Sequence, residues 1–92
     1  MALTFEIVYH EKVVREDIPR IDSVWRIKIR AAIEERLTTN PEIYGKPLRH
    51  SIKGYRKLRV GDYRVVFRID GNRILIFAIR HRSVVYREIE KR

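Results

Sequence analysis

The chain has 92 residues, the size of one small domain, and we predict a single domain over residues 1–92. Hydrophobic residues make up 45% of the sequence and charged residues 36%, a balance typical of a folded protein rather than a disordered one. The chain has no cysteine, which excludes disulfides and thiolate metal sites. No apolar run has the length of a signal peptide or of a membrane span, so we expect a cytoplasmic protein without a membrane partner.

The positive charge is concentrated in the second half of the sequence. The net charge is +9, and residues 1–45 carry seven Lys/Arg against eight Asp/Glu, whereas residues 46–92 carry fourteen against four. A solvated basic surface is the simpler explanation of this excess. Its uneven distribution favours an anionic partner, with nucleic acid ahead of membrane lipid. Charge alone does not distinguish a protein that binds RNA from one that cuts it.

The chain begins with a predicted strand and a short predicted helix. Residues 3–9 alternate in polarity and are rich in β-branched and aromatic residues, which predicts a strand. Residues 10–18 favour a short helix, which Pro19 is expected to end.

A second, longer helix is predicted to begin after the cap residue Asp22 or Ser23 and to run to about Thr39. Its apolar residues recur on one side, so this side is expected to pack in the core with Trp25 as an anchor. The residues of this stripe are Trp25, Ile29, Ala32, Ile33 and Leu37.

The second half of the chain predicts an antiparallel meander. A loop over residues 41–54 precedes three strands at about Tyr55–Val60, Tyr63–Asp70 and Arg73–Arg80, joined by tight turns. Residues 83–92 are either a last strand or a helix. The predicted fold is therefore an α+β domain in which an N-terminal strand and two helices precede a three-stranded meander. Both helices are expected to pack on one face of the sheet.

The turn at Gly61-Asp62 fixes the register of the first predicted hairpin. With glycine first in a two-residue loop, Val60 opposes Tyr63 and Arg59 opposes Arg64. One face of the hairpin is then apolar, with Leu58, Val60, Tyr63, Val65, Phe67 and Ile69, and the other carries Lys57, Arg59, Arg64 and Arg68. Like charges opposed across strands destabilise a hairpin unless water, acids or a bound anion compensate. Acids are scarce in this half of the chain, so we predict an anion site on this face.

The third strand of the meander ends in polar residues beside that face. An apolar run over residues 74–79 is typical of a central strand, and Arg80-His81-Arg82 follows it directly. His10 and His50 lie far from His81 with no spacing typical of metal ligands, so we expect no metal site.

Two segments resemble the signatures of the RelE/ParE toxin superfamily. Residues 55–67 resemble the first signature, in which a basic strand, a Gly-Asp turn and a Tyr-Arg pair recur, and residues 79–86 resemble the second, a His-Arg followed by Tyr. The order and length of the predicted elements also match, so the resemblance covers nearly the whole chain. It implies a RelE-like fold, similar to that of small microbial ribonucleases, and a pairing with an antitoxin that wraps and silences the toxin.

The superfamily has two branches with different targets. RelE-type members cut mRNA in the ribosomal A site, whereas ParE-type members inhibit DNA gyrase and tend to lack the catalytic residues. The presence of Lys57, Arg64, Tyr86 and an arginine at position 80 or 82 favours the RelE-type branch. The resemblance thus implies the toxin of a type II toxin–antitoxin system, an endoribonuclease that needs the ribosome but no metal or cofactor and inhibits translation. One departure is Tyr55, which stands where some members have lysine, so Arg56 or Arg59 serves instead or the activity is weaker.

The resemblance also implies roles for individual residues. Lys57 is the candidate for general base or charge stabiliser, and Arg64 for stabilising the phosphorane. Arg80, His81 or Arg82 would act near the leaving group, and Tyr86 would stack on a base or orient the 2′-hydroxyl. The predicted catalytic residues are Lys57, Arg64, His81, Arg82 and Tyr86, and the predicted RNA-binding residues are Tyr55, Arg56, Arg59, Arg68 and Arg80.

The expected partners are the ribosome with its mRNA and a small, acidic, RelB-like antitoxin laid across the sheet edge or a groove. Two alternatives remain open. A ParE-type gyrase inhibitor would not need Lys57 and Tyr86. A non-catalytic RNA- or ribosome-binding module would bind RNA with strong salt dependence and leave it intact.

Overall fold

The computed structural model describes residues 4–48 and 54–90 of the chain. Its centre is a sheet of five strands, β1 (Glu6–Tyr9), β2 (Lys46–Pro47), β3 (Arg56–Val60), β4 (Tyr63–Asp70) and β5 (Arg73–His81). The strands lie side by side in the order β1-β5-β4-β3-β2. The predicted antiparallel meander is confirmed as β3, β4 and β5, whereas β1 runs parallel to β5. Residue 3, where we predicted the first strand to begin, lies outside the described residues.

The first helical segment covers residues 11–20 and extends past its predicted end. It consists of a π-helical turn, Val13–Asp17, followed by the short helix α1 (Ile18–Arg20). Pro19 lies inside α1 rather than after it. The N–H of Ile18 bonds to the carbonyl of Val13, and Pro19 stands in the first turn of α1, where the missing N–H of proline costs little.

The second helical segment agrees closely with its prediction. It comprises α2 (Ser23–Ala32) and a second π-helical turn, Ile33–Leu37. Asp22 caps α2, because its carboxylate accepts a 3.1 Å hydrogen bond from the N–H of Trp25. The predicted stripe lies in the core: Ile29, Ala32, Ile33 and Leu37 are buried, and Trp25 packs against them.

The predicted loop over residues 41–54 contains two short elements, α3 (Pro41–Tyr44) and β2. Residues 49–53 lie outside the described part of the chain. The alternative that the sequence left open for the tail is resolved as a helix, α4 (Val85–Glu90).

The register that we predicted for the first hairpin is confirmed. Val60 pairs with Tyr63 and Arg59 pairs with Arg64. The predicted apolar face of the hairpin packs against the two long helical segments, with Leu58, Val65 and Phe67 fully or almost fully buried.

The other face of the sheet carries a second, smaller apolar cluster that the sequence did not predict. Val66, Ala78 and Val85 are all completely buried there, so α4 packs on the face opposite the long helices. A β-bulge contributes to this cluster: Val66 pairs with Ala78 but Phe67 pairs with Ile76, and the extra residue, Phe77, packs against the cluster. The centre of the cationic face is thus covered by α4.

Candidate functional site

A row of three arginines crosses the sheet on the face that carries α4. Arg59 pairs with Arg64 across β3 and β4, and Arg64 pairs with Arg80 across β4 and β5. We call Arg59, Arg64 and Arg80 the arginine row. No carboxylate of the described residues forms an ion pair with Arg59 or Arg64. Directly opposed cations repel one another, so this row is suited to bind an anion such as a phosphate.

Lys57 and Tyr86 meet beside the arginine row. Lys57 Nζ donates a 2.9 Å hydrogen bond to the Tyr86 hydroxyl and lies 5.5 Å from the centroid of the tyrosine ring. Tyr86 follows Val85, whose burial against the sheet fixes the start of α4. Tyr86 is 49% exposed, so a ligand can reach this pair. The structure thus brings together two predicted catalytic residues that lie far apart in sequence.

Arg64 is held by the backbone of the hairpin. Its Nη1 donates hydrogen bonds of 2.9 Å to the carbonyl oxygens of Gly61 and Tyr63. Both bonds use one nitrogen, and within the described part of the chain the other guanidinium nitrogens stay available for an anion. A guanidinium oriented in this way can bind two phosphate oxygens at once.

His81 and Arg82 lie at the end of β5, beside the hairpin turn. His81 pairs with Tyr63, and the edge of one ring contacts the other at a centroid distance of 5.9 Å. The Nδ1 of His81 accepts a 3.2 Å hydrogen bond from the N–H of Ser83. The N–H of Arg82 donates to the carbonyl of Asp62 at 2.7 Å. Since His81 shares a face with Tyr63, the structure does not place it in contact with Lys57 and Tyr86.

The remaining predicted RNA-binding residues separate into two groups. Arg68 lies with its guanidinium 5.8 Å from the ring of Tyr55, which packs on Phe77 at 4.8 Å. Tyr55 and Arg68 border a cavity of about 240 Å³ on the face that carries the arginine row. Arg56 lies apart from them, because it pairs with the core residue Phe67 and donates a 2.9 Å hydrogen bond to the carbonyl of Gly45.

One residue near the site was missed by the sequence analysis. Asp17 Oδ1 lies 3.5 Å from Nη1 of Arg80, and the side chains of Asp17 and Arg80 are 0% and 14% exposed. Asp17 was one of eight acids in the first half of the chain, and nothing in its spacing distinguished it. Only the packing of the first helical segment against β5 shows the contact.

The described residues contain no group of three or more His, Asp or Glu side chains arranged to hold a metal ion. Within residues 4–48 and 54–90, no helix has both the length and the apolar character needed to span a bilayer.

Solved structures of RelE toxins share this fold. The toxin–antitoxin complex RelBE2 from Mycobacterium tuberculosis contains a chain that superposes with a TM-score of 0.79 at 24% identity, over 90% of this chain and 97% of that one. The RelB–RelE antitoxin–toxin complex from Methanococcus jannaschii gives a TM-score of 0.70 at 23% identity, over 88% of this chain and 96% of that one. The predicted RelE-like fold is therefore confirmed.

Sequence comparison then gives the family. The model of the family described as "ParE toxin of type II toxin-antitoxin system, parDE" matches residues 7–86, and the chain belongs to this family. Two curated proteins of Mycobacterium tuberculosis are similar over 53 residues, Toxin RelE at 47% identity and Toxin RelG at 38%. The matched regions cover 55% of this chain in both cases, 55% of Toxin RelE and 61% of Toxin RelG, so the chain spans little more than half the length of these relatives. The resemblance to the RelE/ParE superfamily is confirmed.

Proposed function

We propose that this chain is the toxin of a toxin–antitoxin pair and that it cleaves mRNA on the ribosome in the cytoplasm. The observation that carries the proposal is the Lys57–Tyr86 pair, which lies exposed beside the arginine row. An amine and a hydroxyl in hydrogen-bond contact can act on the 2′-hydroxyl of RNA, and the guanidinium groups beside them can bind the phosphate. The similarity to Toxin RelE and Toxin RelG supports the same conclusion.

The proposed reaction uses the ribose of the substrate as the nucleophile. The 2′-oxygen loses its proton and attacks the adjacent phosphorus, and the bond from phosphorus to the 5′-oxygen then breaks. The products are a 2′,3′-cyclic phosphate and a 5′-hydroxyl. We assign removal of this proton to the Lys57–Tyr86 pair: the proton passes to the amine of Lys57 in its neutral form, directly or by way of the Tyr86 hydroxyl that is hydrogen-bonded to it. Arg64 stabilises the charge that develops on the phosphorane.

The leaving 5′-oxygen must gain a proton when its bond to phosphorus breaks. Imidazole transfers protons readily near neutral pH, whereas guanidinium is a poor proton donor. His81 is turned toward Tyr63, so it does not lie beside the arginine row. We therefore propose that the ribosome orients the mRNA and brings the leaving group to the end of β5, which explains a dependence on the ribosome.

The direct test uses purified chain, ribosomes stalled on a defined mRNA, and primer extension to locate the cuts. We expect cuts within A-site codons and a rate about 10²–10³-fold lower for Arg64→Ala. Arg73→Ala is the matched control, because Arg73 is an arginine at the other end of β5, paired with Asp70 at 3.4 Å. Equal cutting of naked RNA would contradict the ribosome dependence. Binding of intact mRNA would indicate a non-catalytic RNA-binding module instead.

Inhibition of DNA gyrase is the second candidate function, because the description of the matched family names the ParE toxin. In that case the chain would block supercoiling by purified gyrase, and Lys57→Met and Tyr86→Phe would block it equally well. Intact mRNA together with blocked supercoiling would replace our proposal by this one.

We also propose an acidic, RelB-like antitoxin as partner. The two solved structures described above are complexes of a toxin with an antitoxin, and the arginine row offers an acidic segment a complementary surface. The test is to co-express the chain with a small acidic protein encoded beside it. We expect a complex that co-purifies and no longer cuts mRNA, and an unchanged cutting rate would contradict the pairing.

A further inference from the structure

Asp17 is the one charged residue that is buried in the described part of the chain, at 1% exposure. It closes the π-helical turn Val13–Asp17, which packs against β5. A carboxylate is removed from water at a large cost unless partners compensate, so a buried carboxylate has a specific set of contacts. Two contacts of Asp17 lie on β5, with Ile79 and with Arg80 of the arginine row.

Asp17 bonds to the backbone of β5 beyond the residues of β5 that pair with β1. The strand β1 pairs with β5 only from Arg73 to Ile76, and after His10 the chain turns away into the first helical segment. Further along β5, Asp17 Oδ2 accepts a 2.9 Å hydrogen bond from the N–H of Ile79. Its other oxygen, Oδ1, lies 3.5 Å from Nη1 of Arg80. One carboxylate thus fixes the backbone of one residue and the side chain of the next.

This contact distinguishes Arg80 from the neighbouring arginines. Arg80 is 14% exposed and is paired with an acid in the interior, whereas Arg82 meets Asp62 at the surface, where both side chains are more than 60% exposed. A surface ion pair holds a side chain only weakly, but an arginine held by a buried carboxylate has few alternative positions. The negative charge of Asp17 also offsets the repulsion between Arg80 and Arg64, which face each other across the strands.

We infer that Asp17 is a positioning residue for the proposed RNA cleavage, which holds Arg80 in the arginine row so that its guanidinium meets a phosphate next to Arg64. The inference rests on the proposed function. A guanidinium has five N–H donors, so contact with one carboxylate does not by itself prevent it from binding a phosphate. Asp17 does not touch RNA and acts only through Arg80. Small displacements of a group that contacts the reacting phosphate lower the rate strongly.

The test is Asp17→Asn, assayed on stalled ribosomes with kcat and KM determined separately. Asparagine has nearly the same volume, and its carbonyl oxygen can still accept from the N–H of Ile79, but it lacks the charge that holds Arg80. We expect kcat to fall about 10–100-fold with KM changed less than about threefold. Glu11→Gln is the matched control, because Glu11 is an exposed acid of the same helical segment, paired with Arg15. It should cut at the wild-type rate.

A double-mutant cycle separates positioning from a general structural role. In an Arg80→Ala background, Asp17→Asn should cause no further loss of kcat, because its effect passes through Arg80. A full and additive loss in that background would overturn the inference, and so would a kcat within twofold of wild type for Asp17→Asn. If Asp17→Asn fails to fold, Arg80→Lys takes its place, since it keeps the charge but lacks the planar fork that binds Asp17 and a phosphate together. A wild-type rate for Arg80→Lys would overturn the inference.

The outcomes also separate this inference from the proposed function. If the wild-type chain and Asp17→Asn cut mRNA equally well, the role of Asp17 is overturned and the proposed function stands. A wild-type chain that leaves mRNA intact on stalled ribosomes overturns the proposed function, and the role of Asp17 falls with it.

Discussion

The hydrogen bond between Lys57 and Tyr86 gives the sharpest prediction for a single residue. Tyr86→Phe removes the hydroxyl that accepts from Lys57 Nζ and keeps the ring, which lies 5.5 Å from Nζ. We expect the single-turnover cleavage rate to fall about 10²–10⁴-fold, the size of effect typical of an acid–base group. The free energy of unfolding should change by less than about 1 kcal/mol, because the bond lies at the surface.

Tyr44 offers the matched control for this substitution. It is 45% exposed, close to Tyr86, and its ring also lies near a cation, with the Arg36 guanidinium 5.7 Å from the centroid. Tyr44→Phe should cut mRNA at the wild-type rate. Equal rates for Tyr44→Phe and Tyr86→Phe would contradict a catalytic role of the Tyr86 hydroxyl. If Lys57 and Tyr86 act as a unit, adding Lys57→Met to Tyr86→Phe should slow cleavage little further.

Tyr9 gives a prediction for the pH dependence of stability. Burial raises the pKa of its phenol above the ordinary value of 10.0, the Glu34 carboxylate raises this pKa further, and Arg30 acts in the opposite direction. Above pH 10 the unfolded chain therefore loses this proton before the folded chain does. The free energy of unfolding should fall as the pH rises from about 10 through the higher pKa of the folded state. Urea titrations from pH 8 to 11 measure this decrease in the free energy of unfolding. The decrease should be smaller in Tyr9→Phe than in the wild type, and Glu34→Gln should have an effect in the same direction but smaller.

Among single residues, the sequence could predict those whose place depends on local rules. Alternation along β3 and β4 and the glycine turn placed Lys57 and Arg64 on one face. The contact of Asp17 with Arg80 was not predictable, because it depends on where β1 ends and on how the first helical segment packs against β5. The orientation of His81 toward Tyr63 likewise depends on the register between β4 and β5, which the sequence analysis had not fixed.

At the scale of elements, the β3–β4 hairpin is fixed by one glycine. Gly61 has a φ of +58°, and a Cβ atom placed on it would lie 2.3 Å from Cη2 of Trp25. Gly71, in the next turn, has a similar φ of +61° and no atom within 4 Å of such a Cβ. We expect Gly71→Ala to cost about 1–2 kcal/mol for the left-handed backbone alone. Gly61→Ala should cost about 1–3 kcal/mol more, because Trp25 must move.

The comparison of these two glycine variants isolates the packing of Trp25 on the hairpin. Urea denaturation of both variants gives the two free energies of unfolding under the same conditions. Equal losses would show that Trp25 yields without cost and does not anchor the turn. A larger loss for Gly61→Ala would support Trp25 as the residue that joins α2 to the hairpin.

The elements themselves differed in how far the sequence could predict them. The strands β3, β4 and β5 and the helix α2 followed from periodicity and turn residues, since these signals are local and the segments are long enough to show them. The elements α3 and β2 have four and two residues, too few for any period to appear. The parallel pairing of β1 with β5 and the packing of α4 depend on contacts between distant parts of the chain. No local pattern encodes such contacts.

For the whole molecule, the division of charge between the two halves of the sequence becomes a division in space. The first half supplies β1 and the two long helical segments, which cover one face of the sheet. The second half supplies β3, β4, β5 and α4, and with them the arginine row and Lys57 on the other face. The fold thus places the cations of the second half on the face opposite the two long helical segments, and Asp17 forms an ion pair with one member of the arginine row.

This distribution predicts how the binding of RNA depends on salt. Binding weakens as salt rises, and each phosphate that the chain neutralises should add about 0.7 to the magnitude of the slope of log Kobs against log salt for single-stranded RNA. Measured in the Tyr86→Phe background, in which RNA should stay intact, Arg64→Ala should lower this magnitude by about 0.7 and weaken binding to all sequences alike. Arg73→Ala removes the same charge at the far end of β5, beside Asp70, and should leave the slope unchanged. If both variants lowered the slope equally, net charge rather than the arginine row would attract RNA, and the site proposed for the phosphates would be wrong.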